Sequence, residues 1–188
     1  EKVSASGKIQ PEVEVKVSPD VSGEIVSLKV AEGDSVVIGQ EILKIRPDNY
    51  VSLLARAEAQ VNAMKASTEQ SKAVLAQSEA RLSKSKIDFD RNVKLHNDKV
   101  ISDADFDQFQ SAYLVAKQDL EAAKANVKAA NFNVKSSEAA LKEARTNLTK
   151  TTIYAPQSGI ISKLNVELGE RVVGTSQMAG TEMLRIAN

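Results

Sequence analysis

From Asp48 to Lys150 the sequence contains no glycine and no proline, so no residue of this kind interrupts a helix there. Apolar or small residues recur at alternating spacings of three and four, which is the a/d pattern of a coiled coil. The first half of the repeat consists of Leu54, Ala57, Val61, Met64, Thr68, Ser71, Leu75, Ser78, Leu82, Ser85 and Phe89. The second half consists of Phe106, Phe109, Tyr113, Ala116, Leu120, Ala123, Val127, Ala130, Val134, Ser137, Leu141, Ala144 and Leu148. The pattern therefore predicts two long helices, each with one seam.

The phase of the two seams predicts how the helices pair. If the chain folds back near Lys99, Leu75 faces Ala123, and a large residue meets a small one in nearly every layer. Phe89 would face Phe109 in a thick layer. This complementarity favours an antiparallel hairpin within one chain, with arms of about 70 Å at about 1.5 Å per residue. The alternative is a dimeric coiled-coil interaction protein with small β caps.

Short β segments on the two sides of the helices carry an internal repeat. Before the helices, alternating valines and closely spaced glycines and prolines predict short strands. The spacing returns after the helices, where Gly159 and Gly169 correspond to Gly23 and Gly33. Neither copy, at about 30 residues, can bury its own apolar face. The two copies are therefore predicted to pack together as one β-sandwich.

The predicted organisation is a helical insertion between two halves of one β-sandwich, which is an α+β fold. The segments are a lead-in at residues 1–12, a first half at 13–47, a hairpin at 48–150 with its turn at about 97–102, and a second half at 151–188. Because the two halves pack on each other, the two ends of the insertion must leave the sandwich side by side.

Composition excludes several classes of function. Lys and Arg together number 25, as do Asp and Glu, so the chain has no charge footprint for nucleic acid or for an anionic membrane. The sequence has no cysteine and one histidine, His96, which leaves no set of nucleophile and base and no metal cluster. No run approaches the roughly 18 consecutive apolar residues of a membrane span. We therefore expect a protein that is not an enzyme.

Two segments carry a resemblance to a known family: VSPDVSGEIVSLKVAEGDSVVIGQEILKI at residues 17–45 and YAPQSGIISKLNVELGERV at residues 154–172. Together with the hairpin, they resemble the lipoyl (biotinyl-like) domain of periplasmic adaptors, which is split by an α-helical hairpin. These adaptors, also called membrane fusion proteins, serve tripartite efflux pumps and type I secretion systems. The resemblance implies a lipoyl β-sandwich interrupted by a long antiparallel coiled-coil hairpin.

The predicted hairpin tip adds a second point of likeness. Adaptors that dock on TolC-type outer-membrane channels often show an Arg, a Leu four residues on, a Ser seven further and an apolar residue four beyond. This chain has Arg91, Leu95, Ser102 and Phe106 at those spacings, and the resemblance implies that they contact the channel. Ser102 also has an ordinary structural role, because as N-cap of the second helix it places Asp105 at N3. The two roles are compatible.

By this resemblance the chain is a periplasmic adaptor subunit that links an inner-membrane transporter to an outer-membrane channel. The long arms are similar to those of adaptors for macrolide-type ABC transporters rather than for proton-driven pumps. The family implies a homo-oligomer, a hexamer in the assembled pump, anchored to the inner membrane by a segment outside this chain. The family's adaptors also carry a β-barrel, of which residues 1–12 could only begin the first strand.

An alternative is a lipoyl- or biotinyl-type carrier or scaffold protein of a multienzyme complex. Such carriers modify a lysine at the tip of the turn that joins the two halves. Here Lys44 is followed closely by Pro47 and the first helix, so the insertion replaces the carrier turn. We therefore expect no attached cofactor.

Overall fold

The computed structural model describes residues 14–175 and 180–187, so the predicted lead-in at residues 1–12 lies outside the described residues. The chain divides into two compact units. The sandwich unit combines the residues up to Ala55 with those from Glu143 onward and contains the described strands, while the helical unit is Arg56–Lys142. The predicted fold class, a β-sandwich interrupted by an antiparallel helical hairpin, is confirmed.

Along the sequence, one group of strands precedes the pair of helices and a second group follows it. The first group is β1 (Glu14–Val17), β2 (Gly23–Leu28), β3 (Ser35–Val36) and β4 (Glu41–Ile45). The helices are α1 (Asp48–Asn97) and α2 (Asp103–Thr149). The second group is β5 (Thr152–Tyr154), β6 (Gly159–Leu164), β7 (Arg171–Val172) and β8 (Leu184–Ala187). Strand β4 and helix α1 are separated by two residues, so the first half of the sandwich leads almost directly into the hairpin.

The strands form two four-stranded antiparallel sheets, in the orders β1-β8-β6-β3 and β5-β4-β2-β7. Each sheet takes two strands from before the helices and two from after them. Val17 pairs with Leu184 in one sheet, and Gly23 pairs with Val172 in the other. Neither half of the sequence can therefore complete a sheet by itself, and the predicted packing of the two halves on each other is confirmed.

The internal repeat extends to individual hydrogen bonds in the turns. The Gly33 N–H donates to the Ile161 carbonyl at 2.9 Å, and the corresponding Gly169 N–H donates to the Ile25 carbonyl at 2.9 Å. Both glycines have positive φ, 93° and 86°, a backbone conformation that a side chain would strain. The two halves are therefore related by a pseudo-two-fold that includes their turns.

The core of the sandwich unit is formed largely by branched aliphatic side chains from both halves. Its most deeply buried members are Ile25, Val36, Ile42, Leu43, Ile45, Ile161, Val172, Met183, Leu184 and Ile186. Tyr50, in the first turn of α1, packs against this cluster, and its hydroxyl donates to the Ser22 carbonyl at 2.8 Å. The first turn of α1 is therefore anchored to the sandwich core through Tyr50.

An ion pair joins the loop after β1 to the residue that follows α2. Lys150 Nζ lies 2.9 Å from Asp20 Oδ2, and the Thr175 hydroxyl donates to Asp20 Oδ1 at 3.3 Å. The hydrogen bond from Lys150 lowers the pKa of Asp20 below its ordinary value. The carboxylate is therefore ionised at neutral pH, and on the acid side the stabilisation from the pair is lost as the pH falls through that lowered pKa.

In the helical unit, the predicted seam residues lie on the least exposed face of each helix. From Leu54 to Ser85 every seam position of α1 is buried or half-buried, and every position between them is exposed. Ion pairs cross between the helices near the predicted register: Lys65 Nζ lies 3.6 Å from Glu138 Oε1, and Arg81 Nη1 lies 3.4 Å from Asp119 Oδ2. The antiparallel pairing within one chain is confirmed.

One predicted layer differs from the structure. The ring of Phe89 contacts Tyr113 at 5.2 Å between centroids and Phe106 at 5.8 Å, and these two residues lie one turn to either side of Phe109. A knob of a coiled coil inserts between residues of the facing helix rather than directly opposite one of them. Phe89 therefore spreads its contacts over two aromatic residues of α2.

Candidate functional site

The hairpin tip, residues 91–106, is closed by a Schellman motif at the end of α1. The Lys99 N–H donates to the His96 carbonyl at 2.9 Å, and the Val100 N–H donates to the Leu95 carbonyl at 2.8 Å. Lys99 occupies the left-handed position of the motif, with φ of 58°. The chain therefore reverses between Asn97 and Asp103, through a defined turn in which the Lys99 and Val100 N–H groups are hydrogen-bonded.

The start of α2 is capped by Ser102, as the sequence predicts. The Asp105 N–H donates to Ser102 Oγ at 3.2 Å, and that hydroxyl donates to Asp105 Oδ2 at 2.7 Å. The Phe106 N–H donates to the Ser102 carbonyl at 3.1 Å, which is the first bond of the helix. The side chain of Asp105 also places negative charge at the positive end of the helix dipole. The structural role of Ser102 is confirmed.

Replacing Ser102 with alanine is expected to lower the free energy of unfolding of the hairpin by about 1 kcal/mol, because the Asp105 N–H loses its acceptor. Ser102→Thr keeps a hydroxyl at the N-cap and should stay within a few tenths of a kcal/mol of the original chain. Urea unfolding followed by the helical circular dichroism signal measures both. Equal stabilities for the two variants would contradict the capping role.

An aromatic cluster links the two helices at the tip. His96 stacks on Phe106 with 4.6 Å between ring centroids, and Phe106 lies against Phe89, which in turn stacks on Tyr113. His96 Nε2 also lies 2.8 Å from Asp103 Oδ1 across the turn. These contacts join the last turns of α1 to the first turns of α2, so the tip is held by side chains as well as by its backbone.

The structure gives the four predicted docking residues different surroundings. Ser102 is exposed and caps α2, whereas Leu95 and Phe106 are half-buried and Phe106 belongs to the aromatic cluster. Arg91 has a side chain that is 68% exposed, and its nearest carboxylate, Asp88, is 4.0 Å away. Arg91 therefore has the least structural explanation of the four.

Sequence reasoning missed two features of the tip. The contact between His96 and Asp103 was not predicted, although His96 continues the α1 seam and lies seven residues before Asp103. The exposed pair Lys99 and Val100 was also missed, because a lysine at a left-handed position has no sequence signal comparable to that of a glycine. Both features depend on the geometry of the turn.

Within the described residues, the structure shows neither a cluster of metal-ligating side chains nor a helix that could span a membrane. Among residues 14–175 and 180–187, no group of three or more His, Asp and Glu side chains is placed to hold a metal ion. Within the same ranges, no helix has the length and apolar character needed to cross a bilayer.

The model of one known protein family matches most of this chain. The model "RND MFP, barrel-sandwich hybrid domain", in which MFP denotes membrane fusion protein, matches residues 13–181. The chain belongs to the RND membrane fusion protein family. Members of this family are non-enzymatic periplasmic adaptors, so the prediction that the chain is not an enzyme is confirmed by its family.

Several proteins named for export or efflux are similar to this chain. The pyoverdine export membrane fusion protein PvdR of Pseudomonas aeruginosa is 35% identical over 98% of this chain and 43% of its own length. The macrolide export protein MacA of Escherichia coli O157:H7 is 28% identical over 93% of this chain and 43% of its own length. The multidrug efflux pump subunit AcrA of Escherichia coli K12 is 29% identical over 84% of this chain and 32% of its own length. The chain thus spans less than half of each relative.

Solved structures share the fold. The crystal structure of MacA from Actinobacillus actinomycetemcomitans superposes with a TM-score of 0.71 at 24% identity, covering 95% of this chain and 50% of that one. The membrane fusion protein Spr0693 from Streptococcus pneumoniae R6 gives a TM-score of 0.57 at 17% identity, covering 95% of this chain and 62% of that one. Because both identities are below 25%, these similarities support the fold alone.

Proposed function

We propose that this chain is the sandwich and hairpin portion of a periplasmic adaptor that links an inner-membrane transporter to a TolC-type outer-membrane channel. The family match over residues 13–181 supports the adaptor class, and relatives named for macrolide, multidrug and pyoverdine export support a role in efflux. The adaptor does no chemistry. It bridges the two membrane proteins and seals the path between them.

The hairpin tip is the proposed contact with the channel. The observation that carries this assignment is a closed, side-chain-braced turn that leaves the Arg91 guanidinium largely in solvent. An exposed guanidinium close to a rigid turn can bind a carboxylate or a carbonyl group of a partner, and the turn itself needs no ordering on binding. Leu95, Ser102 and Phe106 form the rest of the proposed docking set.

The transporter and the oligomeric state are finer proposals. The helices have 50 and 47 residues, and long arms are the feature that likens this chain to adaptors of ABC transporters. The assembled form is proposed to be a hexamer located in the periplasm, anchored through a segment outside this chain. The mixed lysine and glutamate surfaces of the arms suit polar, reversible contacts between neighbouring copies.

Arg91→Ala is expected to weaken binding to the channel about tenfold, which corresponds to the loss of one well-placed charged contact. The measurement is biolayer interferometry of the chain against the TolC-type channel of the same organism, held in nanodiscs. Lys84→Ala is the matched control, because Lys84 is an exposed cation of α1 that lies one heptad before Arg91. It should change the dissociation constant by less than about twofold.

Two outcomes of this experiment count against docking through the tip. One is a failure of the original chain to bind the channel at any concentration reached. The other is an equal loss of affinity in the Arg91 and Lys84 variants, which would indicate general charge attraction. Helical circular dichroism of each variant shows whether the hairpin has remained folded.

A further inference from the structure

Lys99 occupies a backbone position that favours glycine. Its φ of 58° lies in the left-handed region, and the two hydrogen bonds of the Schellman motif hold it there. Glycine is the usual residue at this position and asparagine the next, because other side chains crowd the backbone there. Lysine therefore makes the turn less stable than either of those residues would.

The side chains of the turn are presented to solvent. Lys99 is exposed, and Val100 beside it is 67% exposed, the largest value recorded for a large apolar side chain of the described residues. In many Schellman motifs the residue at the position of Val100 packs against the helix, where the corresponding partner in this chain would be Leu95. At 67% exposure, Val100 instead leaves most of its surface available to a partner.

The described contacts of the fold do not explain why a lysine ammonium group stands at position 99. No ion pair of Lys99 is formed with any residue in the ranges 14–175 and 180–187. A cation near a helix C-terminus is favourable, but Lys94 and His96 already place basic groups in the last turn of α1. Strain of this kind is commonly retained where a residue serves binding.

We propose that Lys99 and Val100 form a further contact of the hairpin tip, which binds a carboxylate flanked by an apolar notch on the outer-membrane channel. This inference rests on the proposed function and adds two residues to the docking set. Lys99 supplies a charge that pairs with an acidic group of the partner, and Val100 removes apolar surface from water beside that pair. The pair lies at the point of chain reversal, between the end of α1 and the start of α2, and both residues are exposed there.

The test uses variants that separate backbone strain from charge. Lys99→Asn suits the left-handed position and removes the cation, whereas Lys99→Arg keeps both the charge and the strain. Val100→Thr preserves the shape of the side chain and adds a hydroxyl. Lys84→Asn removes one cation from α1 outside the tip and is the control for net charge.

Binding to the nanodisc-held TolC-type channel is measured at low and at high salt, together with the thermal midpoint of each variant. Lys99→Asn is expected to bind about fivefold more weakly, to lose part of its salt dependence, and to melt at the same temperature or slightly higher. Lys99→Arg and Lys84→Asn should bind within about twofold of the original chain. Val100→Thr should bind about threefold more weakly at either salt concentration.

The outcomes distinguish this inference from the proposed function. If Arg91→Ala weakens binding and Lys99→Asn does not, the tip docks but Lys99 takes no part, and the inference is overturned. It is also overturned if Lys99→Asn and Lys84→Asn lose affinity equally. If the original chain does not bind the channel, docking through the tip fails and this inference fails with it.

Discussion

Gly159→Ala is expected to destabilise the sandwich unit by about 3 kcal/mol, in the range of an overpacked site that cannot relax easily. A Cβ built at Gly159 would meet the Ala187 carbonyl oxygen and Ile186 Cγ2 at 2.4 and 2.9 Å. The oxygen belongs to the backbone of β8, which pairs with both β1 and β6. Relief of the clash therefore requires a shift of the sheet, because no side-chain rotation can provide it.

Gly23→Ala is the matched control for this prediction. Gly23 is the pseudo-two-fold counterpart of Gly159, and its Cβ would meet Ile45 Cγ2, a side-chain atom, at 2.5 Å. A rotamer change of Ile45 relieves part of that clash, so the Gly23 variant should lose less stability. Hydrogen exchange of the β6 and β8 amides measures the local free energy of opening. Unchanged protection in Gly159→Ala would refute the close packing described at this strand.

Leu120→Ala is expected to lower the free energy of unfolding of the helical unit by about 2 to 3 kcal/mol, near the lower end of values for buried leucines. Leu120 is 8% exposed and lies in the α2 seam. The low end applies because a seam between two helices has fewer neighbours than the interior of a globular domain. Alanine has the higher helix propensity, so the loss comes from packing.

Leu114→Ala on the same helix is the control, since Leu114 is 50% exposed and lies between seam positions. Its expected effect is below about 0.5 kcal/mol. Urea unfolding followed by helical circular dichroism compares the two variants. Similar losses for both leucines would mean that the seam does not pack as the structure has it.

The helical unit was predictable in detail because its burial follows a local period. A residue three or four positions from a seam residue lies on the same face of a helix, whatever the rest of the chain does. For this reason the seam from Leu54 to Ser85 matches the buried and half-buried positions of that part of α1 one by one. The partners of Phe89 were not predictable, because a shift of less than one turn along the facing helix changes which rings touch.

The sandwich was predictable only at the level of its halves. The repeated glycine spacing indicated two related copies, but the spacing does not say which strand pairs with which. The exchange of strands between the halves depends on contacts between residues far apart in sequence, such as Glu14 and Ala187. Those contacts form only when both copies are present and bury their apolar faces together.

For the candidate site, the sequence alone established the capping role of Ser102 and the point of chain reversal, since both depend on neighbouring residues. The tertiary structure decided the rest. The stacking of His96 on Phe106 and the exposure of Lys99 and Val100 require two helices to meet across a turn of defined φ. Local patterns record which residues can form a helix or a cap, whereas the contacts between distant residues are set by packing.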